Sequence, residues 1–160
     1  MRLTDYTDYA LRVLMYLGMR PTRLVTIQEI ATAHDISKNH LTKVVHHLGQ
    51  VDLVHTVRGR AGGIRLGKRP DQIPLGTVVR LTEPDFNMVE CFDETQNRCA
   101  LSPMCVLKYA LAAATDAYLK TLDRLTLSDI LQGPEKASST FAVTRLGEHP
   151  DKLAKVVAHR

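Results

Sequence analysis

The stretch TIQEIATAHDISKNHLTKVVHHLGQVDLV, beginning at Thr26, constrains the fold most. Ile27, Ile30 and Ala31 fall on one face of a first short helix. Leu41, Val44, Val45 and Leu48 follow the i, i+3, i+4, i+7 spacing of a second. His34-Asp35-Ile36 makes the turn between them. Thr26 is placed to cap the first helix, with Glu29 three residues on as the partner of a capping box. Ser37 is placed to cap the second, and Gly49 lies near its end. Two short amphipathic helices with a tight connection form a helix–turn–helix.

The outward residues of the second helix are Lys38, Asn39, His40, Thr42, Lys43, His46 and His47. Donors, acceptors and cations of this kind suit a groove-facing surface, although an ordinary solvated face has the same composition. His40, His46 and His47 cannot all point one way on a helix, which argues against a metal there. The next segment favours the groove-facing reading. LVHTVRGRAGGIRLGKRP reads as strand, tight basic turn, strand. Gly59, Gly62 and Gly63 permit the turn, and Arg58, Arg60, Arg65, Lys68 and Arg69 crowd around it. A phosphate-loop reading of these glycines is weak, because a strand follows them and not a helix. A hairpin with arginines at its tip, directly after a helix–turn–helix, is a winged helix whose tip lies along phosphates or enters a minor groove. Asn39, His40, Thr42 and Lys43 are the major-groove candidates, Lys38 adds a cation at the helix start, and Arg58 and Arg60 are the wing candidates.

Elements flank this module on both sides. Residues 4–19 form a helix capped by Thr4, with Tyr9, Val13, Tyr16 and Leu17 on one face and Leu14 nearby. Asp5 and Asp8 sit in its first turns, where negative charge suits the helix dipole. Residues 74–84 make a short helix between two prolines, with Leu75, Val78, Val79 and Leu81 inward. A long helix then runs from Cys105 to about Leu125, with an apolar stripe of Leu107, Leu111, Ala114, Tyr118, Leu122 and Leu125. Such a helix, with apolar surface to spare, suits packing against a second copy of the chain. Thr126 to Leu131 reads as a short terminal helix capped by Thr126 or Ser128. The expected class is therefore mainly α: a winged helix-turn-helix DNA-binding domain with a β-hairpin wing over 1–83, a cysteine loop over 84–105, a dimerisation helix region over 106–132, and a tail over 133–160 without a core pattern, read as mostly disordered.

All three cysteines, Cys91, Cys99 and Cys105, lie in CFDETQNRCALSPMC, with seven and then five residues between them. Spacings this long do not suit a zinc knuckle, and no His lies inside the loop. Three thiolates wrapped by a long loop suit an iron–sulfur cluster, and a thiol switch between two of them is the redox alternative. No CxxC motif, βαβ pattern, Ser/His/Asp set or carboxylate pair points to an enzyme. Residues 1–80 carry 12 Lys/Arg against 6 Asp/Glu, while residues 81–132 carry 4 against 8. That asymmetry matches a nucleic-acid module coupled to something else. No apolar run spans a bilayer. The N-terminus carries Asp5 and Asp8 among its apolar residues and is not a signal peptide, so a cytoplasmic protein with reduced thiols is expected.

The runs SKNHLTKVVHHLGQ, VRGRAGGIRLGK, CFDETQNRCALSPMCVLKYAL and TLSDIL, in this order, resemble the family of winged-helix iron–sulfur regulators, and within it the nitric-oxide-sensing repressors. The resemblance covers about residues 1–131. It implies a homodimer bound to double-stranded operator DNA, with one cluster per subunit held by Cys91, Cys99 and Cys105. It also implies a fourth ligand, an Asp on the first helix of the partner subunit, which matches Asp8 here. A four-iron cluster is preferred, with a two-iron cluster as the alternative. Nitric oxide is the implied effector. The IscR-type branch carries a His three residues after the third cysteine, where this chain has Lys108. Two competing expectations stand beside this one: a regulator that reports iron or cluster supply, as the similarly spaced RirA-type cysteines suggest, and a zinc-stabilised protein-interaction module.

Overall fold

The computed structural model describes residues 2–132, and the expected tail over 133–160 lies outside them. Six α-helices and one hairpin follow in the order α1 (Asp5–Gly18), α2 (Ile27–His34), α3 (Lys38–Gln50), β1 (Val54–Val57), β2 (Gly63–Leu66), α4 (Leu75–Thr82), α5 (Val106–Asp123) and α6 (Leu127–Leu131).

Helix starts follow the local chemistry only in part. Thr4 caps α1 by accepting from the Thr7 amide. Thr26 accepts from the Glu29 amide, but Glu29 does not reach back. Its carboxylate instead accepts from Tyr16 Oη at 3.0 Å and from Arg23, so the expected capping box is half made. Ser37 stands at the N-cap of α3 with no side-chain cap bond. Asp35 and Asp52 adopt left-handed backbone, φ 53 and 58, which short polar side chains tolerate. At Asp35 this reverses the chain so that the Ile36 amide bonds Ala31 O at 3.0 Å, closing the turn of the helix–turn–helix.

β1 and β2 pair antiparallel with Val54 opposite Leu66 and Val57 opposite Gly63. Val25 bridges the other edge of β2, exchanging both backbone bonds with Ile64 at 2.8 and 3.0 Å. At the tip Gly59 takes φ 117, and a Cβ on Gly62 would stand 2.4 Å from Val57 O, so both positions require glycine.

α1 is the hub, packing on α3, α4, α6 and β2. Its buried line is Thr7, Ala10, Val13, Leu14 and Leu17. Tyr9 and Tyr16, expected on the core face, are half-buried at its rim, since a phenol hydroxyl needs a polar partner. In α4 the inward residues are Leu75, Val78 and Val79; Leu81 is exposed, against expectation. α5 packs chiefly on α4, and Thr115 is its one buried residue. In its expected stripe, Leu111, Tyr118 and Leu122 are half-buried, whereas Leu107 and Ala114 are exposed, and the helix ends before Leu125. α6, expected to go with α5, joins the winged-helix core. Leu127 is fully buried there, and its amide bonds Ile73 O at 2.8 Å.

Candidate nucleic-acid interface and cysteine loop

The buried line of α3 (Leu41, Val44, Val45, Leu48) leaves the opposite face to solvent. Lys38, Asn39, His40, Thr42 and Lys43 are all exposed. At 100° per residue, Asn39, Lys43, His46 and Gln50 form the stripe diametrically opposite the core line. His46, already read as outward, thus lies at the centre of the face, and Gln50 joins it; the spacing of Gln50 four residues after His46 was the available signal. His40 stands to one side, its ring stacked on Tyr9 with centroids 6.4 Å apart. His47 meets the Tyr6 ring at a tilt of 33°, and the Tyr6 hydroxyl lies 3.0 Å from His47 Nδ1. These two pairs bind α3 to the first turns of α1. Thr42 turns its hydroxyl onto Lys38 O at 2.9 Å.

On the wing Arg58 and Arg60 are exposed at either side of Gly59. Arg65 projects from β2 opposite His55. Arg69 donates twice to Asp71, at 2.8 and 3.1 Å, and so is partly neutralised.

The cysteine loop lacks regular structure but is held by its own short side chains. Its first turn, Glu90–Phe92, contains Cys91, which is buried. Glu90 accepts from the Arg98 amide. Asp93 accepts from the amide and hydroxyl of Thr95, which holds its carboxyl below the usual range. Asn97 accepts from the Cys99 amide at 3.0 Å and donates to Ser102. Cys99 is exposed. Cys105 is half-buried at the N-cap of α5, where unpaired amides and the helix dipole favour negative charge. All three thiols are free. Glu90, Asp93 and Asn97 were not singled out from sequence, because Asx-type bonds in a loop have no period to betray them.

At the loop's base, Glu83 accepts from the amide and the hydroxyl of Thr4, at 2.8 and 3.0 Å. The start of the cysteine loop is thereby fastened to the N-cap of α1. Asp8, one turn further along α1, pairs with Arg12 at 2.7 Å, and Asp5 pairs with the exposed Arg2 at 3.0 Å. Among the described residues no group of three or more His, Cys, Asp or Glu side chains stands arranged to hold a metal ion. The donor chemistry nevertheless suits an iron–sulfur cluster: three free, soft thiols on one irregular segment. Within one chain these thiols and Asp8 do not form a metal-holding group.

A helix–turn–helix with an arginine-tipped wing, joined to a thiol-bearing loop and a long helix, defines a winged-helix regulator. Residues 3–133 match the family described as Rrf2, iron-dependent transcriptional regulator. The chain is 54% identical over 136 residues to the HTH-type transcriptional regulator NsrR of Bacillus subtilis (strain 168), covering 84% of this chain and 93% of that protein. It is 53% identical to the NsrR of Bacillus licheniformis, covering 84% and 95%. Among solved structures it is similar to CymR (YrzC), the global cysteine regulator of B. subtilis, with a TM-score of 0.66 at 24% identity, covering 82% of this chain and 96% of that one. The chain belongs to the Rrf2 family of transcriptional regulators.

Proposed function

We propose that this chain is a dimeric transcriptional repressor whose grip on operator DNA is set by an iron–sulfur cluster sensitive to nitric oxide. The observation that carries the reading is the pairing, in one chain, of a free donor-rich α3 face with three free thiols on the loop that leads into α5. Cys91, Cys99 and Cys105 would hold the cluster, and Asp8 of the partner subunit would complete its ligands. When bound, the cluster supplies reactivity toward nitric oxide, most readily at the iron held by the harder and weaker carboxylate ligand.

What the chain does with that event follows from its packing. Asp8 lies on α1, whose Tyr6 and Tyr9 are seated on His47 and His40 of α3. A carboxylate engaged across the dimer would therefore hold the recognition helix through aromatic contacts, and freeing Asp8 would let α1 and α3 shift together. Half-sites lie about 34 Å apart or a multiple of that, so a small rotation of each recognition helix loses the match.

Anaerobic purification with a visible spectrum and an iron and sulfide count tests the cofactor. Asp8→Ala is expected to alter that spectrum or lower the iron count, while Asp5→Ala leaves both unchanged; identical behaviour of the two variants removes Asp8 from the ligand set. Nitric oxide titrated into the loaded protein on DNA is expected to release the DNA, and unaltered affinity contradicts the reading. The family's description as iron-dependent favours one second reading, in which the cluster reports iron supply. Release by an iron chelator without release by nitric oxide would select it.

A further inference from the structure

The joint between α4 and α5 is built more tightly than the rest of α5. Gly76 is buried there with no room for a side chain: a Cβ on it would stand 2.0 Å from Asp123 Oδ1. Arg80, one turn on in α4, donates through both Nη atoms to the Asp123 carboxylate, the second bond at 2.8 Å. Asp123 is the last residue of α5. Just beyond it, Leu125 O accepts from the Leu75 amide at 2.8 Å, so the chain leaving α5 is stitched to the start of α4. At the other end of the same helix Val106, Leu107 and Tyr109 are exposed, as are Leu101 and Met104 before it. α5 is thus fixed at its C-terminal end and presents apolar surface at its N-terminal end.

We infer that Gly76, Arg80 and Asp123 set the angle at which α5 leaves the DNA-binding body, and thereby select the spacing between the two operator half-sites. The inference rests on the proposed dimerisation through α5. A half-exposed ion pair by itself is a weak constraint. Here the missing side chain at Gly76 lets the carboxylate approach α4 directly, and the guanidinium then holds it by two parallel bonds. Arg80 also keeps the Asp123 carboxyl below the usual carboxylate range, so the pair stays charged near neutrality. Geometry amplifies the effect. Eighteen residues of helix span about 27 Å, so a tilt of about 10° at the joint moves the far end by about 5 Å. One base-pair step is about 3.4 Å. Both protomers tilt in a symmetric dimer, so a small error at each joint misplaces a recognition helix by more than a base pair.

The test uses the full-length, cluster-loaded chain and a duplex selected from a random-sequence pool by the wild type, remade with its central spacer changed by one and two base pairs. The wild type is expected to prefer the parent spacing by about tenfold or more. Gly76→Ala and Asp123→Asn are expected to broaden or move that optimum, leaving less than about a threefold preference for the parent spacing. The charge-reversed double variant Arg80→Asp/Asp123→Arg is expected to recover a single optimum, which a generally loosened fold would not do. Asp123→Asn is nearly isosteric and half-exposed, so it keeps the test open should Gly76→Ala fail to fold. Sedimentation separates the two layers of the argument. A wild type that is monomeric while bound to DNA overturns both the dimer and this inference. Dimeric variants that retain the wild-type spacing profile overturn this inference alone.

Discussion

Thr126 and Ser37 each stand one residue before a helix, yet they engage it differently. The Thr126 amide and hydroxyl both donate to the Asp129 carboxylate, at 2.7 and 2.8 Å, closing a capping box, whereas Ser37 makes no side-chain cap bond. Thr126→Ala is therefore expected to cost about 1–2 kcal/mol, and Ser37→Ala less than about 0.5 kcal/mol, both read from urea midpoints. Glu29 gives a second residue-scale expectation. The hydrogen bond from Arg23, helped by Tyr16, lowers its carboxyl from 4.5 to about 2 in the folded chain. A depressed folded-state value stabilises above the unfolded value and is lost as pH falls through the folded one. Between pH 4.5 and about 2 the wild type is thus expected to lose thermal stability faster than Glu29→Gln. Parallel melting-temperature curves would refute this. Thr4, Thr26 and Thr126 were legible in the sequence because a cap is a three-residue relation. The partners that draw Glu29 out of its capping box were not, since Tyr16 lies 13 residues away and the two meet only in the folded chain.

At the scale of elements, period 3.6 and the strand–turn–strand pattern located α1 to α4 and the hairpin within a residue or two. Periodicity says that a stripe is apolar but not what it touches. Hence α5 and α6 looked like one region in sequence, whereas they divide in the structure. Leu127 is fully buried among α1 and its neighbours, and Leu131 packs so closely on Gly18 that a Cβ there would stand 2.5 Å from its Cδ1. Leu127→Ala is expected to destabilise the winged-helix body by about 2–5 kcal/mol. Leu107, 64% exposed in the single chain, is expected to cost less than about 0.5 kcal/mol in the monomer when changed to Ala, while weakening dimerisation. Chemical denaturation and sedimentation of the same two variants check the division, and equal effects on both readouts would undo it. The cysteine loop is the opposite case. Its three cysteines stand out by residue type and spacing, but its conformation rests on Glu90, Asp93 and Asn97, which bond to backbone amides at irregular offsets.

Across the whole molecule the excess of cations in residues 1–80 is placed unevenly. Several arginines there are committed to nearby carboxylates: Arg2 to Asp5, Arg12 to Asp8, Arg23 to Glu29 and Arg80 to Asp123. Arg69 is held by Asp71. Arg58 and Arg60 at the wing tip and Lys43 on α3 remain exposed without such a pair among the described residues. Non-specific attraction to DNA grows with the number of phosphates neutralised, and each neutralised phosphate steepens the dependence of affinity on salt. If the wing tip lies on the backbone, Arg58→Ala and Arg60→Ala should each reduce the magnitude of the slope of log affinity against log salt by about 1. Arg69→Ala should change it much less, because its charge is already shared with Asp71 at 2.8 Å. Asn39→Ala, by contrast, should leave the slope intact and lower the ratio of operator to random-sequence affinity, since an amide reads base edges and carries no charge to exchange for counterions. Equilibrium titrations of each variant at four salt concentrations separate these outcomes. An unchanged slope for Arg60→Ala would place the wing tip off the phosphates, and a reduced slope for Arg69→Ala would mean that DNA displaces Asp71 from its arginine.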